Sequence, residues 1–367
     1  MSRVLLVGNS AYYLLQFRAE LIRSFVLAGH QVRVCCAPEP GSAERFAELG
    51  ASEEAWDLDP LSQNPVSELR ALLQLRSILS RLRPDYVFSF TIKPNSYCGL
   101  LARTQPFRLI PTLTGLGTAF LEQGLSLRMI RKLLRLALDR ADHVFVQNAD
   151  DHQIAREELA VPAARLEIVP GSGIRLEHFA AHSPPPLQPT APLTCSYVGR
   201  FLAQKGIREF AVAARTLHAQ KAKIRFLVFG DEEAANRSLI SRAELAALAG
   251  PALEFRGFLA DAREAYAQSH FVVLPSYREG MSRSLIEAAA CGVPGITSDR
   301  PGCRDIVRDG ESGFLCAAQS SEALVAALRR ALELSPAQHA RMSAAARLGA
   351  ERFASSICDP PYLAQLL

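Results

Sequence analysis

Residues 271–297 read Phe271-Val-Val-Leu-Pro-Ser-Tyr-Arg-Glu-Gly-Met-Ser-Arg-Ser-Leu-Ile-Glu-Ala-Ala-Ala-Cys-Gly-Val-Pro-Gly-Ile-Thr297. The apolar run to Ser276 predicts a strand, Glu279-Gly280 a turn, and Ser282–Cys291 a helix that Gly292 and Pro294 stop. A second strand follows over Val293–Thr297, which completes a parallel β-α-β unit. Met281, Ser282 and Arg283 are then expected to offer backbone N–H groups at a helix N-terminus, where phosphate binds readily. Glu279 stands just before that terminus, and Glu287 about one turn into the helix. Carboxylates accept from paired sugar hydroxyls, so two of them flanking an anion site imply a sugar at each end of a diphosphate. The plainer reading is a strand-turn-helix with an acidic residue favoured by the helix dipole.

The same alternation runs outward in both directions. After it come Gly313–Cys316, and before it Leu193–Gly199, Ile224–Gly230 and Leu253–Arg256, all strand-like with helices between. The N-terminal half repeats the pattern. Strands are expected at Arg3–Gly8, Gln31–Ala37, Asp85–Phe90, Leu109–Thr114, His143–Gln147 and Leu166–Pro170. Helices are expected around Leu14–Leu27, Leu69–Leu82, Leu127–Leu138 and Asp150–Leu159. Strands such as Val4-Leu-Leu-Val7 are apolar on both faces, as in a sheet covered by helices on both sides. Between the halves, residues 181–192 hold five prolines and read as a linker. The division is therefore an N-terminal domain over residues 1–180, a Pro-rich linker over 181–192, a second domain over 193–350, and a tail over 351–367 that packs on either domain. The fold class is α/β: two doubly wound domains, each with its ligand edge at the carboxyl ends of its strands, facing across a cleft.

Bulk properties narrow the function. The chain has 367 residues, 49% hydrophobic and 21% charged, with a net charge of +4. That suits two soluble cores and is too weak a positive bias for wholesale nucleic-acid binding. No apolar stretch reaches the roughly 20 residues that span a bilayer. Met1-Ser-Arg3 leads straight into an apolar run, so no signal peptide is expected. The eight cysteines have no zinc-like spacing and are read as reduced thiols in the cytoplasm.

The Glu279…Glu287 segment resembles the E-x7-E motif of the family 4 retaining glycosyltransferases, whose architecture is GT-B: two Rossmann-like domains facing across an interdomain cleft. The resemblance implies that Glu279 contacts the donor sugar and Glu287 the ribose hydroxyls of the nucleotide. Val198-Gly-Arg-Phe-Leu-Ala-Gln-Lys-Gly206 is similar to the family's strand-end element, in which Gly199 approaches the donor and Arg200 and Lys205 neutralise its diphosphate. Two fixed cations there would stabilise the charge that builds on the leaving group. Phe229-Gly-Asp-Glu232 and Phe255-Arg-Gly-Phe258 match loops bordering the base, which brings Arg256 to the donor. Pro170-Gly-Ser-Gly-Ile174 matches the end of the first domain. Catalysis is thus expected of Glu279, Arg200 and Lys205. Donor binding is expected of Glu287, Gly199, Gly280, Met281, Ser282 and Arg256, with Gly8 and Ser10 from the turn after the first strand.

In the N-terminal half, Ser89-Phe-Thr-Ile-Lys-Pro-Asn-Ser-Tyr-Cys-Gly99 and Leu113-Thr-Gly-Leu-Gly-Thr-Ala-Phe-Leu-Glu-Gln-Gly124 resemble bacterial enzymes that extend lipid-linked glycans, of the diacetylbacillosaminyl-diphospho-undecaprenol N-acetylgalactosaminyltransferase type. The acceptor side is then expected at Lys93, Asn95, Thr114, Gly115 and Gly117. Lys93 is either a cation for a diphosphate or an exposed loop lysine, and the two glycines serve either close backbone approach or a tight turn. Many relatives carry a histidine where this chain has Thr114. No side-chain base is evident, which fits a retaining mechanism in which the departing phosphate takes the acceptor's proton.

These resemblances imply a UDP-sugar donor, an N-acetylhexosamine by preference, and a polyprenyl-diphosphate-linked saccharide as acceptor. No metal, no cofactor and no nucleic acid are expected. Asp57-Leu-Asp59 has the spacing of a metal motif but precedes Pro60 in a connecting stretch and is read as structural. Gly8-Asn-Ser-Ala11 is not a dinucleotide fingerprint. Over Ser126–Asp142, Arg128, Arg131, Lys132, Arg135 and Arg140 lie against Leu127, Ile130, Leu133, Leu134, Leu136 and Leu138. That pattern fits peripheral contact with an anionic membrane surface at the inner face of the cell membrane, and equally a core-packed helix with a solvated face. A nucleotide-sugar epimerase of the same fold and a catalytically silent nucleotide-sugar-binding subunit are the alternatives. The E-x7-E segment stands against the first, and the intact Glu279, Arg200 and Lys205 against the second.

Overall fold

The computed structural model describes residues 1–62, 64–116, 125–180, 185–188, 190–232 and 238–366. The chain divides into two compact units, Met1–Ile174 with Ser355–Leu367, and Arg175–Ala354.

Unit 1 contains β1 (Arg3–Val7), α1 (Ala11–Leu27), β2 (Gln31–Cys36), α2 (Ser42–Glu48), β3 (Ser52–Ala55), α3 (Pro65–Leu82), β4 (Tyr86–Phe90), α4 (Ile92–Leu101), β5 (Arg108–Leu113), α5 (Leu125–Leu138), β6 (Val144–Val146), α6 (Ala149–Glu157) and β7 (Leu166–Ile168). The seven strands lie in the order β3-β2-β1-β4-β5-β6-β7, and every pairing is parallel. Alternation along the strands splits the core into two faces. Val4, Leu6, Phe88, Phe90 and Ile110 pack with α1 on one face. Leu5, Val7, Val87 and Leu109 pack with α3 and α4 on the other. Leu113 shares the parity of Leu109 and packs with Leu134 and Leu138 of α5, so α3, α4 and α5 cover the same face.

Unit 2 contains α7 (Leu176–Ala180), β8 (Leu193–Val198), α8 (Ile207–Ala219), β9 (Ile224–Phe229), α9 (Arg242–Ala249), β10 (Leu253–Gly257), α10 (Arg263–Tyr266), β11 (Phe271–Leu274), α11 (Arg283–Ala290), β12 (Gly295–Ser298), β13 (Gly313–Cys316), α12 (Ser321–Leu332) and α13 (Pro336–Ala350). Its six parallel strands run β10-β9-β8-β11-β12-β13. The chain then returns to unit 1 with α14 (Ser355–Cys358) and α15 (Pro360–Ala364). Tyr362 there is 1% exposed in the α1 face of the core. Its hydroxyl lies 3.1 Å from Thr112 Oγ1.

Three boundaries differ from expectation. The units part at Ile174/Arg175, so the Pro-rich stretch belongs to unit 2; residues 181–184 and 189 of it lie outside the described residues. Residues 351–354 stay with unit 2, and only Ser355–Leu367 joins unit 1. The helix expected to reach Asp142 ends at Leu138.

Candidate active site

In both sheets the strand order reverses once, between β1 and β4 in unit 1 and between β8 and β11 in unit 2. Loops leaving two such strands diverge, which opens a ligand crevice at their carboxyl ends. In unit 2 those are the loops carrying Gly199–Gly206 and Pro275–Ser282. Lys205 Nζ donates to Glu279 Oε1 at 2.5 Å. Ser276 Oγ lies 2.6 Å from the same oxygen and 3.0 Å from the Gln204 carbonyl. Tyr277 N donates to that carbonyl at 2.8 Å, locking the β8 loop to the β11 loop.

Glycines make this packing achievable. Gly206 has φ +72°, and a Cβ on it would lie 2.1 Å from Pro275 O. Gly302 has φ +75°, and a Cβ there would lie 2.5 Å from Glu279 O. The 301–302 backbone accepts from the Glu279 turn, with Glu279 N on Pro301 O and Ser282 N on Gly302 O, both 3.0 Å. The amide of Ser282 is therefore already engaged, which corrects the expectation that it is free for phosphate. α11 begins one residue later, at Arg283, with no side-chain cap at its N-terminus. Gly280 is buried and Met281 half-buried in this turn.

Glu287 is 6% exposed. Arg283 Nε donates to its Oε1 at 2.7 Å and the Tyr266 hydroxyl to its Oε2 at 3.0 Å. Burial and the neighbouring carboxylate push the Tyr266 hydroxyl well above its ordinary value, so it remains a donor. Each carboxylate oxygen has two acceptor directions, and one donor on each leaves capacity for two more.

Arg200 is exposed after β8, where its carbonyl accepts from Tyr197 Oη at 2.7 Å. Gly199 N donates to Phe229 O at 3.0 Å, and Gly199 O would lie 1.9 Å from a Cβ on Gly230. Arg256 Nη2 donates to Glu254 Oε2 at 2.9 Å. Arg225 holds the same carboxylate below its usual range.

In unit 1 Gly8 N donates to Cys35 O at 3.0 Å, and Ser10 Oγ accepts from Tyr13 N at 3.1 Å, capping α1. Lys93 is committed elsewhere than to a ligand. Its ammonium donates to Asp59 O at 2.9 Å, Ser62 O at 2.7 Å and Glu68 Oε1 at 2.7 Å, which uses its three N–H bonds. Asp59 enters through its backbone, as connecting structure. Asn95 Nδ2 donates to Thr112 O at 2.9 Å, while its Oδ1 is buried without a partner. Thr114 and Gly115 are half-buried and Gly115 has φ +109°. Gly117 and the segment to residue 124 lie outside the described residues.

Sequence reasoning passed over Tyr266 and Gly302 in unit 2, whose contacts with Glu287 and Glu279 are distant in sequence, and Ser276, which lies three residues from Glu279. It also missed a polar group at the β1/β4 reversal. Asn9 Oδ1, Ser89 Oγ and Thr91 Oγ1 are buried with no hydrogen-bond partner. Thr91 also sits at φ 72°, ψ 164°, a conformation of order 1–3 kcal/mol above the favoured basins for a β-branched residue. Buried polar atoms are normally satisfied, so three such atoms grouped at one strand-order reversal call for an explanation.

With this geometry, residues 192–334 match the family described as glycosyl transferases group 1, and residues 16–171 the glycosyl transferase 4-like domain. The chain is a glycosyltransferase of GT-B fold, built from a 4-like domain followed by a group 1 domain. Over 328 residues it is 25% identical to the N,N'-diacetylbacillosaminyl-diphospho-undecaprenol alpha-1,3-N-acetylgalactosaminyltransferase of Campylobacter jejuni, covering 84% of this chain and 82% of that one. It is 24% identical over 276 residues to the UDP-Gal:alpha-D-GlcNAc-diphosphoundecaprenol alpha-1,3-galactosyltransferase of Escherichia coli, covering 72% and 70%. The GT-B fold is shared with the sucrose-phosphate synthase of Thermosynechococcus elongatus, at TM-score 0.80 and 19% identity over 99% of this chain and 98% of that one. The glycosyltransferase therefore carries its Lys205–Glu279 pair at the strand-order reversal of its second Rossmann-like unit.

Proposed function

We propose that this glycosyltransferase moves a sugar, an N-acetylhexosamine, from its UDP form to a saccharide carried on a polyprenyl diphosphate, with retention at the anomeric carbon and without a metal ion. The observation that carries the reading is the joining of Lys205, Glu279 and Ser276 where unit 2's strand order reverses. Both relatives named above act on diphospho-undecaprenol-linked sugars, and the name of one specifies a UDP-sugar donor.

In this reading Lys205 and Arg200 face the donor diphosphate and Glu279 the sugar. Glu287 takes the ribose hydroxyls with its remaining acceptor directions. The bond from the sugar's anomeric carbon to the phosphate oxygen breaks as the bond to the acceptor oxygen forms on the same face. The acceptor's proton passes to the departing phosphate. Charge grows on that phosphate, and fixed cations already in place stabilise it without reorganisation. Asn9, Ser89, Thr91 and Asn95 supply unit 1's polar contacts to acceptor hydroxyls, taking the place that sequence gave to Lys93. The work is done at the inner face of the cell membrane, where such an acceptor resides.

UDP release tests the proposal. Purified protein is given a panel of UDP-sugars, with and without a membrane extract rich in undecaprenyl-diphosphate sugars, and with EDTA throughout. Release from one donor that depends on the extract and ignores EDTA is expected. Release without any acceptor, or its abolition by EDTA, overturns the corresponding part.

A further inference from the structure

We infer that the outer surface of the α3–α5 layer of unit 1 seats the enzyme on an anionic lipid bilayer through two helices, α3 and α5 together. The inference rests on the proposed lipid-linked acceptor and deepens it, by naming the surface that meets the membrane.

The starting observation is apolar exposure in the wrong place for a soluble helix. On α3, Val66, Leu69 and Leu73 are 58%, 56% and 53% exposed. On α5, Met129, Leu133 and Leu136 are 71%, 38% and 46% exposed. Each set follows the three-and-four spacing of one helical stripe. Neither stripe is the one that packs inward. Ala71, Leu75, Ile78 and Leu79 of α3 and Leu134 and Leu138 of α5 serve the core instead. Both helices thus have apolar residues on opposite sides, and the outward set has no core to fill.

The two stripes lie on the same side of the sheet. α3 covers Leu5, Val7 and Val87, α5 covers Leu113, and these strand residues share one face by parity. Between them α4 packs closely on α5: a Cβ on Gly99 would lie 2.4 Å from Ala137 O. The layer is therefore continuous, with both stripes turned away from the sheet.

Charge identifies the occupant. Arg70 and Arg76 are exposed beside the α3 stripe, and Arg128, Lys132 and Arg135 beside the α5 stripe. α5 contains no acidic residue. The one acid of α3, Glu68, is taken by Lys93 and the Tyr97 hydroxyl. Apolar stripes bordered by cations, with acids absent or neutralised, match the boundary of an anionic bilayer, where apolar side chains enter the acyl region and cations meet lipid phosphates. No helix among the described residues is long and apolar enough to cross a membrane, so the contact is interfacial.

The test is sedimentation with vesicles holding neither donor nor acceptor, so that its outcome is independent of the proposed reaction. Full-length protein is expected to bind phosphatidylcholine vesicles containing phosphatidylglycerol, to bind pure phosphatidylcholine far less, and to release with added salt. Leu69→Glu and Leu133→Glu, both at exposed positions, should each lower the partition coefficient on the order of tenfold or more. Leu27→Glu changes an 80% exposed leucine of α1, on the opposite face of the sheet, and should leave binding unchanged. A response to Leu133→Glu alone overturns the two-helix seat. Absence of vesicle binding, or a dimer that Leu69→Glu and Leu133→Glu dissolve, overturns the lipid partner and assigns the surface to protein. Transfer to a detergent-dispersed lipid extract is measured beside it: loss of vesicle binding with transfer retained leaves the reaction standing, and binding without transfer leaves the surface standing.

Discussion

Lys205 Nζ and Glu279 Oε1 lie 2.5 Å apart although 74 residues separate them in sequence. Their side chains are 21% and 12% exposed, so the pair is shielded but reachable. Lys205→Ala should cut the turnover number by on the order of 10²–10³, the usual loss when one preorganised charge-stabilising donor is removed. Glu279→Ala should do at least as much. Because the two act as one unit, the double variant should lose much less than the product of the single losses. Steady-state UDP release measures all three, with circular dichroism to verify folding. Near-normal rates from either single variant would remove the pair from the mechanism.

Glu287 calls for a different signature. Its carboxylate is oriented by Arg283 and Tyr266, and in the proposed reaction it touches a part of the donor that does not change between ground and transition states. Glu287→Gln should therefore raise the donor KM more than it lowers kcat. Tyr266→Phe should move KM in the same direction by less, since one neutral hydrogen bond contributes about 1 kcal/mol. A pure kcat effect from Glu287→Gln would contradict the ribose assignment.

Much of this architecture is legible in the sequence, and the exceptions have physical causes. Gly313–Cys316 and the apolar strands of both sheets announced themselves by burial on two faces. β3 escaped because Ser52-Glu-Glu-Ala55 is an edge strand with one neighbour, pairing only with β2, and carries no apolar signal. α4 is absent from the expected helices, and it contains both a proline and a glycine. Pro94 lies in the first turn, where its missing N–H is not needed, and Gly99 is required by the approach of Ala137. The motif residues of unit 2 were legible because they follow strands. Their partner Tyr266 was not, since its hydrogen bond to Glu287 crosses 21 residues, and Ser276, although three residues from Glu279, is also held by the Gln204 carbonyl 72 residues away. Lys93 lies in a segment whose resemblance implies acceptor binding and makes the contacts of a structural residue, a distinction only geometry makes.

Gly302 and Gly310 give a matched test of the turn that holds Glu279. Both have left-handed backbone, φ +75° and +76°. A Cβ on Gly302 meets the Glu279 backbone at 2.5 Å, whereas one on Gly310 meets only Arg330 Nη2 at 3.8 Å. Gly310→Ala should cost roughly 1–2 kcal/mol of stability, from the left-handed conformation alone, with activity intact. Gly302→Ala should cost more and also displace Glu279, so that kcat falls sharply in protein that is still folded. Equal activity in both variants would show that the 301–302 backbone does not position the carboxylate.

The two units should respond to acid in opposite senses. In unit 1, burial pushes the Asp359 carboxyl up to about 6 from an ordinary 3.8, against the Ser24 hydroxyl that donates to it at 2.7 Å. Between those values the folded chain holds a proton that the unfolded chain has lost, so this group's contribution is full below about pH 4 and lost as pH rises through 6. The shift of about two units corresponds to at most about 3 kcal/mol. In unit 2, burial lowers His270 and His339 below the ordinary 6.5. His270 Nδ1 accepts from Thr194 N at 2.8 Å, and His339 Nε2 lies 3.0 Å from His270 O. Here the unfolded chain binds the extra protons, so the contribution is full above pH 6.5 and lost on acidification. Hydrogen exchange resolved by peptide can separate the units. Protection in α1 and α15 should fall from pH 4 to pH 7, and Asp359→Asn should abolish that fall. Protection in β11 and α13 should rise toward pH 6.5, more weakly in His339→Gln, which keeps a donor for the His270 carbonyl without the charge. A common pH response in both sets of peptides would mean that neither buried group governs its own unit.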